Sequence, residues 1–324
     1  MDDIGAEVTR GETRVRQLTP VLWQVQQELA PGIPLNVHLV VGDYAVLIDT
    51  GLPSTFPYVK RLLAEAVVDP SKVKLILNTH AHHDHAGADR LVKEATGALV
   101  GAPLGAVSWI EDHDRNYREF ALHHPEVIPD SPELRAELGP TLIGGTRVDL
   151  IIDEGVRVRP GRNIELVAYR VPGHVHAELA YYERFSQVLI IGDAVTGTDW
   201  SIFHGHLLPS TYRATLARLR QLTSELPVRT AVLAHYAEPY DAEEFLALLT
   251  RAELYVASVD HMISLIVREA GDDIGLAEVW RETSRRMNRQ PEFRGLAMVD
   301  AHLKELVESG RARLVEPDRF RWIP

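Results

Sequence analysis

Residues 79 to 87 read Thr-His-Ala-His-His-Asp-His-Ala-Gly, which places four imidazoles and one carboxylate within six positions directly after an apolar run. In such a loop His80 and His82, two residues apart, can face one metal ion while Asp84 and His85 turn toward a second. Neutral imidazole and carboxylate are ligands that zinc, manganese and iron all accept. His83 occupies the position between these ligands and is left out of the set. The chain has no cysteine, which removes thiolate ligands, a Cys nucleophile and disulfides together. Any metal site must therefore be built from His and carboxylate. Other hydrolytic or nucleotide-binding machinery is missing from the sequence, which has no H-E-x-x-H, G-x-S-x-G, P-loop or G-x-G-x-x-G pattern.

The elements that must position this loop show as alternating apolar runs and helical stretches. Two apolar runs, Val37 to Val41 and Ala45 to Ile48, flank the turn residues Gly42 and Asp43 and predict a buried hairpin ending in Asp49-Thr50-Gly51. A helix is expected from about Phe56 to Val67 and a strand from Lys74 to Leu77. The His-rich loop follows, then a helix from about Ala88 to Ala95 closed by Gly97. Further strands are expected near Leu99 and at 150–152, 164–170, 179–182, 188–191 and 230–233, with a helix at about 211–222. Strands mixed with helices but lacking a regular βαβ rhythm predict two sheets with helices outside them. Between Pro103 and Thr146 a helical segment carrying Trp109, Tyr117 and Phe120 interrupts the strand pattern; its length predicts a lid. Beyond Pro239 three helical patterns, about 262–269, 275–287 and 296–308, lead to a hairpin at 313–323.

The chain has 324 residues, a net charge of −12, 45% hydrophobic and 25% charged residues, so it reads as a globular protein of one or two domains. The acidic balance disfavours general coating of nucleic acid. The N-terminal stretch has no apolar core of signal-peptide length and no later run approaches 18 apolar residues, which predicts a cytoplasmic protein with no membrane contact.

The pattern T-H-x-H-x-D-H, here with Gly87 one position earlier than usual, resembles the signature of the metallo-β-lactamase superfamily. The rest of the chain supplies its other landmarks in order: Ile48-Asp49-Thr50-Gly51, Pro172-Gly173-His174, Gly192-Asp193, and Leu233-Ala234-His235, the last departing from the usual G-H-G. The resemblance covers roughly residues 20 to 240. It implies that His80, His82 and His174 bind one metal, that Asp84, His85 and His235 bind a second, and that Asp193 bridges them. Asp49 would hold the ligand loop by hydrogen bonds. Glu178 stands where relatives often have a small residue or histidine. Trp200, Phe203, His204 and His206 follow Asp193 closely enough to line a pocket with Trp109, Tyr117 and Phe120.

The implied fold is an αββα sandwich (residues 1–250) with a lid insertion (103–146) and a winged-helix-like C-terminal domain (251–324). The expected function is metal-dependent hydrolysis of a small ester-like substrate, thioester or lactone, by a hydroxide bridging two divalent metals, Zn foremost with Mn or Fe compatible. Asp84 and Asp193 would serve the reaction directly. Members that are genuine β-lactamases generally lack the bridging aspartate, which moves the expectation away from β-lactams. The alternatives are a phosphodiesterase or ribonuclease, and a DNA-binding regulator that has kept a metal site. The last tail helix, with Lys304 against Asp300, Glu305 and Glu308, would repel phosphate. The tail is instead expected to pack on the catalytic domain or to form a homodimer contact.

Overall fold

The computed structural model describes residues 13–195, 197–203 and 205–323. Among these, strands β1 (Arg14–Gln17), β2 (Leu22–Ala30), β3 (Ile33–Val41), β4 (Ala45–Ile48), β5 (Val73–Leu77), β6 (Leu99–Ala102) and β7 (Leu150–Ile151) lie side by side in chain order. The first four pair antiparallel and β4 to β7 pair parallel. A second sheet contains β8 (Arg157–Gly161), β9 (Ile164–Arg170), β10 (Leu179–Glu183), β11 (Val188–Ile191), β12 (Thr230–Leu233) and β13 (Tyr240–Asp241), again in chain order across the sheet, with β11 and β12 parallel.

Side-chain alternation explains how the two sheets stack. In β4, Val46 and Ile48 point into a core shared with Leu166, Ala168 and Tyr181 of the other sheet. Ala45 and Leu47 point the other way, onto helices α1 (Phe56–Glu65), through Val59 and Leu62, and, beyond the short α2 (His83–Ala86), α3 (Asp89–Thr96), through Val92. In β11, Val188 and Ile190 face the shared core while Leu189 and Ile191 face another helix layer. Strands buried on both faces read as unbroken apolar runs, which is why these two were visible in the sequence. The result is the expected αββα sandwich. The inserted segment folds into α4 (Val107–Glu111), α5 (His113–Phe120) and α6 (Pro132–Leu138).

The outer layer on the second sheet is α7 (Pro209–Glu225) and α8 (Ala242–Glu269). The sequence reads as largely helical beyond Pro239, with a pattern at about 262–269; the structure has there one 28-residue helix, α8, which starts at a capping box formed by Asp241 and Glu244 and runs through the expected 250/251 division. Phe245, Leu248 and Ala252 pack in the core over the second sheet, whereas Val259, Ile263 and Ile266 pack in the core of the tail. That tail adds α9 (Leu276–Arg286), α10 (Phe293–Glu308), and β14 (Ile274–Gly275), β15 (Ala312–Glu316) and β16 (Arg319–Trp322), paired in the antiparallel order β14-β16-β15. No helix among the described residues is long and apolar enough to cross a membrane.

Because one helix serves both cores, sandwich and tail are expected to unfold in a single cooperative step. Thermal melts followed by far-UV circular dichroism and by tryptophan fluorescence should coincide; two separated transitions would show that α8 does not couple the cores.

Candidate metal centre

Parallel neighbours end on the same side of a sheet, and this places the site. The chain leaves β4 at Asp49 and β5 at Asn78, and in the other sheet it leaves β11 at Gly192 and β12 at Ala234. Asp49 adopts a φ of 59° immediately after β4. Its carboxylate accepts the Thr79 N–H at 2.7 Å, and its other oxygen lies 2.9 Å from His85 Nδ1. This one buried side chain therefore ties the start of the His-rich loop to its last histidine. His174 sits in the turn from β9 to β10 after Gly173, whose φ of 137° favours glycine and whose hypothetical Cβ would lie 2.5 Å from the Tyr212 Cα.

The seven expected ligands converge. His174 Nε2 lies 3.0 Å from His82 Nδ1 and 3.3 Å from Asp193 Oδ2. On the other side His235 Nε2 lies 3.2 Å from Asp84 Oδ2 and 3.3 Å from both His85 Nε2 and Asp193 Oδ1. Two atoms each 2.0–2.1 Å from one tetrahedral ion stand about 3.3 Å apart, so these separations fit metal coordination. The buried Nε2 of His80 has no hydrogen-bond partner, as expected of a lone pair kept for a metal. His80, His82, His174 and Asp193 form one group and Asp84, His85 and His235 the other, each with candidate ligand atoms within 4.8 Å of one another.

Backbone carbonyls set the tautomers, because a carbonyl only accepts. His174 Nδ1 donates to the Gly205 carbonyl at 2.5 Å and His235 Nδ1 to the Pro34 carbonyl at 2.8 Å, which turns each Nε2 lone pair inward. Burial, aided by neighbouring imidazoles, holds His80 and His82 well below the usual histidine range. For His85 and His235 burial acts in the same sense, but the carboxylates of Asp193 and Asp84 outweigh it. They lift His85 well above its ordinary value and push His235 up to about 10. Asp84 is driven down by His85 and His235 despite its burial.

A cavity of about 450 Å³ opens over this cluster. Phe120, Trp200 and Phe203 line it as expected; the Phe120 ring lies 4.3 Å from that of His82 and the Trp200 ring 5.8 Å from that of His235. Three expected pocket residues lie elsewhere. Tyr117 is buried in the inserted segment's own core with its hydroxyl donating to Asp130, and Trp109 donates to Glu119 and borders a separate, smaller cavity. His206 is fully buried against His302. His204 lies outside the described residues. Pocket walls that the sequence did not suggest come from the β2–β3 hairpin (Leu29, Ala30, Ile33), from Leu138, and from the tail (Gln290, Arg294). None carries a motif; only a run of apolar residues marks the hairpin. Glu178 is not a pocket residue, because it is buried behind the ligands with its carboxylate accepting the Asp193 N–H at 2.6 Å.

Fold and site together define a metal-dependent hydrolase. The family model described as the metallo-beta-lactamase superfamily matches residues 31–235, and the chain belongs to that superfamily. Curated relatives include a protein described as a probable metallo-hydrolase from Methanocaldococcus jannaschii, 25% identical over 164 residues, which are 51% of this chain and 68% of that one. The hydroxyacylglutathione hydrolase of Hyphomonas neptunium is 26% identical over 60% of this chain, a match spanning 57% of the relative's length. The fold is also that of a metallo-beta-lactamase family protein from Thermus thermophilus, at a TM-score of 0.74 and 19% identity, covering 95% of this chain and 100% of that one. A beta-lactamase domain protein from Burkholderia ambifaria gives a TM-score of 0.67 at 16% identity, covering 95% and 93% of the two chains. Both matches extend through most of the C-terminal tail.

The opposite shifts in the two halves predict different proton linkage. The neighbouring carboxylates favour protons on His85 and His235, whereas burial disfavours them on His80 and His82. Zinc bound between Asp84, His85 and His235 must displace those protons, so its affinity should rise about tenfold per pH unit for each proton released. Titration calorimetry in buffers of different ionisation enthalpy should show proton release concentrated in one of two binding events. Equal release in both would contradict the electrostatics.

Proposed function

We propose that this protein is a dinuclear metal-dependent hydrolase of small ester-like substrates, with acyl thioesters favoured and lactones next. The observation that carries the reading is the Asp193 carboxylate, which sends one oxygen toward His174 and the other toward His85 and His235. In this reading His80, His82 and His174 would hold one metal and Asp84, His85 and His235 the other, with Asp193 available to both. Such ions would supply an activated water at neutral pH and positive charge for the developing oxyanion. Asp49 keeps His85 oriented, and the Gly205 and Pro34 carbonyls do the same for His174 and His235. Phe120, Trp200 and Phe203 give the cavity an apolar wall that excludes water and suits an acyl chain.

Support for a thioester comes from the names of several curated relatives, hydroxyacylglutathione hydrolases at 26% to 28% identity. A nuclease reading is less well supported, since Arg294 is the one arginine or lysine among the described cavity residues and it pairs with Glu292 at 2.8 Å. A DNA-reading tail is likewise disfavoured: in α10, Phe293, Gly295 to Asp300, His302, Leu303 and Leu306 are all buried. The segment 103–146 acts as a partial lid in this reading, through Phe120, Glu137, Leu138 and Thr141.

The test is a substrate panel of thioesters, lactones, phosphodiesters and β-lactams on protein of known metal content. Thioester turnover should dominate, and Asp193→Ala should lose one metal equivalent and lower kcat by about 10²- to 10⁴-fold. Dominant phosphodiester turnover, or a near-normal Asp193→Ala variant, would overturn the proposal. Phe120→Ala should raise KM with metal content intact; unchanged kinetics would remove Phe120 from the substrate wall.

A further inference from the structure

We infer that His302 and His206 are positioning residues for His174, so that the helical tail helps to hold the metal centre. The inference rests on the reading of His174 as a metal ligand. His174 is oriented by the Gly205 carbonyl, and the residue next to Gly205 is His206, which is fully buried. The Nε2 of His206 lies 2.8 Å from the Nε2 of His302 on α10, so one nitrogen donates its proton to the lone pair of the other. The opposite nitrogen of His302 lies 3.7 Å from Asp260 on α8, and Asp260 is itself gripped by Arg311 at 3.2 and 3.3 Å. Asp260 thus stands beyond hydrogen-bond reach of His302, and the route from the tail to the carbonyl that orients His174 runs through the His302–His206 pair and then along the backbone from His206 to Gly205.

The surroundings make this route stiff. The His206 ring stacks on Tyr212 at 5.0 Å, and Tyr212 is the residue against which Gly173 packs. The Leu207 N–H donates to the Gly173 carbonyl at 2.9 Å, closing the loop onto the turn that carries His174. On the tail side, the Gln290 N–H donates to the Ser201 carbonyl at 2.8 Å and Arg289 to the Thr198 carbonyl at 2.6 Å. Phe203 is buried in the tail core, where a Cβ on Gly295 would come within 2.7 Å of its ring.

Burying two imidazoles between packed helices is unfavourable unless they find polar partners, which here are each other and, near His302, Asp260 and Glu305. Their pairing fixes where the loop sits, which is what an outer hydrogen-bond partner of a metal ligand has to do. Loss of such partners typically costs 10- to 100-fold in metal affinity.

The test is titration of metal-free full-length protein with zinc or cobalt(II), with thermal melts run in parallel. His302→Ala should weaken one of two metal equivalents about 10- to 100-fold and leave the other unchanged. His302→Gln, which keeps a polar tip, should recover most of the loss, and His206→Ala combined with His302→Ala should be no worse than either alone. Val279→Ala, a change in the tail core on α9, an element that carries no residue of the route, should lower Tm without moving metal affinity. Wild-type affinity for both equivalents in His302→Ala, or equal affinity losses in His302→Ala and Val279→Ala, would overturn this inference alone. A wild-type protein that takes up no metal would overturn the metal centre and this inference with it.

Discussion

Asp193 is a carboxylate buried among three imidazoles, with His174, His85 and His235 each within 3.4 Å of one of its oxygens. Holding that anion away from water is unfavourable by several kcal/mol unless cations or hydrogen bonds compensate it. The imidazoles of His85 and His235, where the carboxylates of Asp193 and Asp84 favour a proton, supply that compensation, and a metal ion held there would supply it with a larger charge. Every other feature of the site serves this arrangement. Two pairs of parallel strands, β4 with β5 and β11 with β12, end at one cleft, so rigid sheet edges bring the ligands together. Outer acceptors, Asp49, the Gly205 carbonyl and the Pro34 carbonyl, then fix which nitrogen of His85, His174 and His235, three candidate ligands, faces inward.

The tail belongs to the same system of constraints. α8 carries apolar residues into both the sandwich and the tail core, and the loop after Asp193 is held between the His174 turn and α10. A tail that also lines the cavity through Gln290 and Arg294 takes part in shaping what enters, beyond adding buried area. The charge of α10 fits a helix turned inward, with Lys304 paired to Asp300 at 2.6 Å and Arg294 paired to Glu292 at 2.8 Å.

Much of this was legible in the sequence because it rests on local signals. The ligand loop is a dense motif, and strands such as β4 and β11, buried on both faces, announce themselves as apolar runs. β1 and β2 were missed because their patterns are broken by polar residues; Gln24 and Gln27 are buried, and Gln24 bonds to Asn36 at 2.7 Å. The full length of α8 was legible but not read: Phe245, Leu248, Ala252, Val256, Val259, Ile263 and Ile266 recur at three- and four-residue spacing, one stripe whose partners change from the sandwich core to the tail core midway. His206 and His302 lie 96 positions apart, and nothing local marks either as half of a pair. Tyr117 was expected in the pocket because aromatic type alone does not reveal which core a side chain joins.

The central claim, that Asp193 holds two metals in one cleft, is tested most directly by anomalous diffraction from crystals of the zinc-loaded protein. The account predicts two peaks about 3.5 Å apart, one among His80, His82 and His174 and the other among Asp84, His85 and His235, with Asp193 between them. A single peak, or two peaks with Asp193 bound to neither, would contradict it.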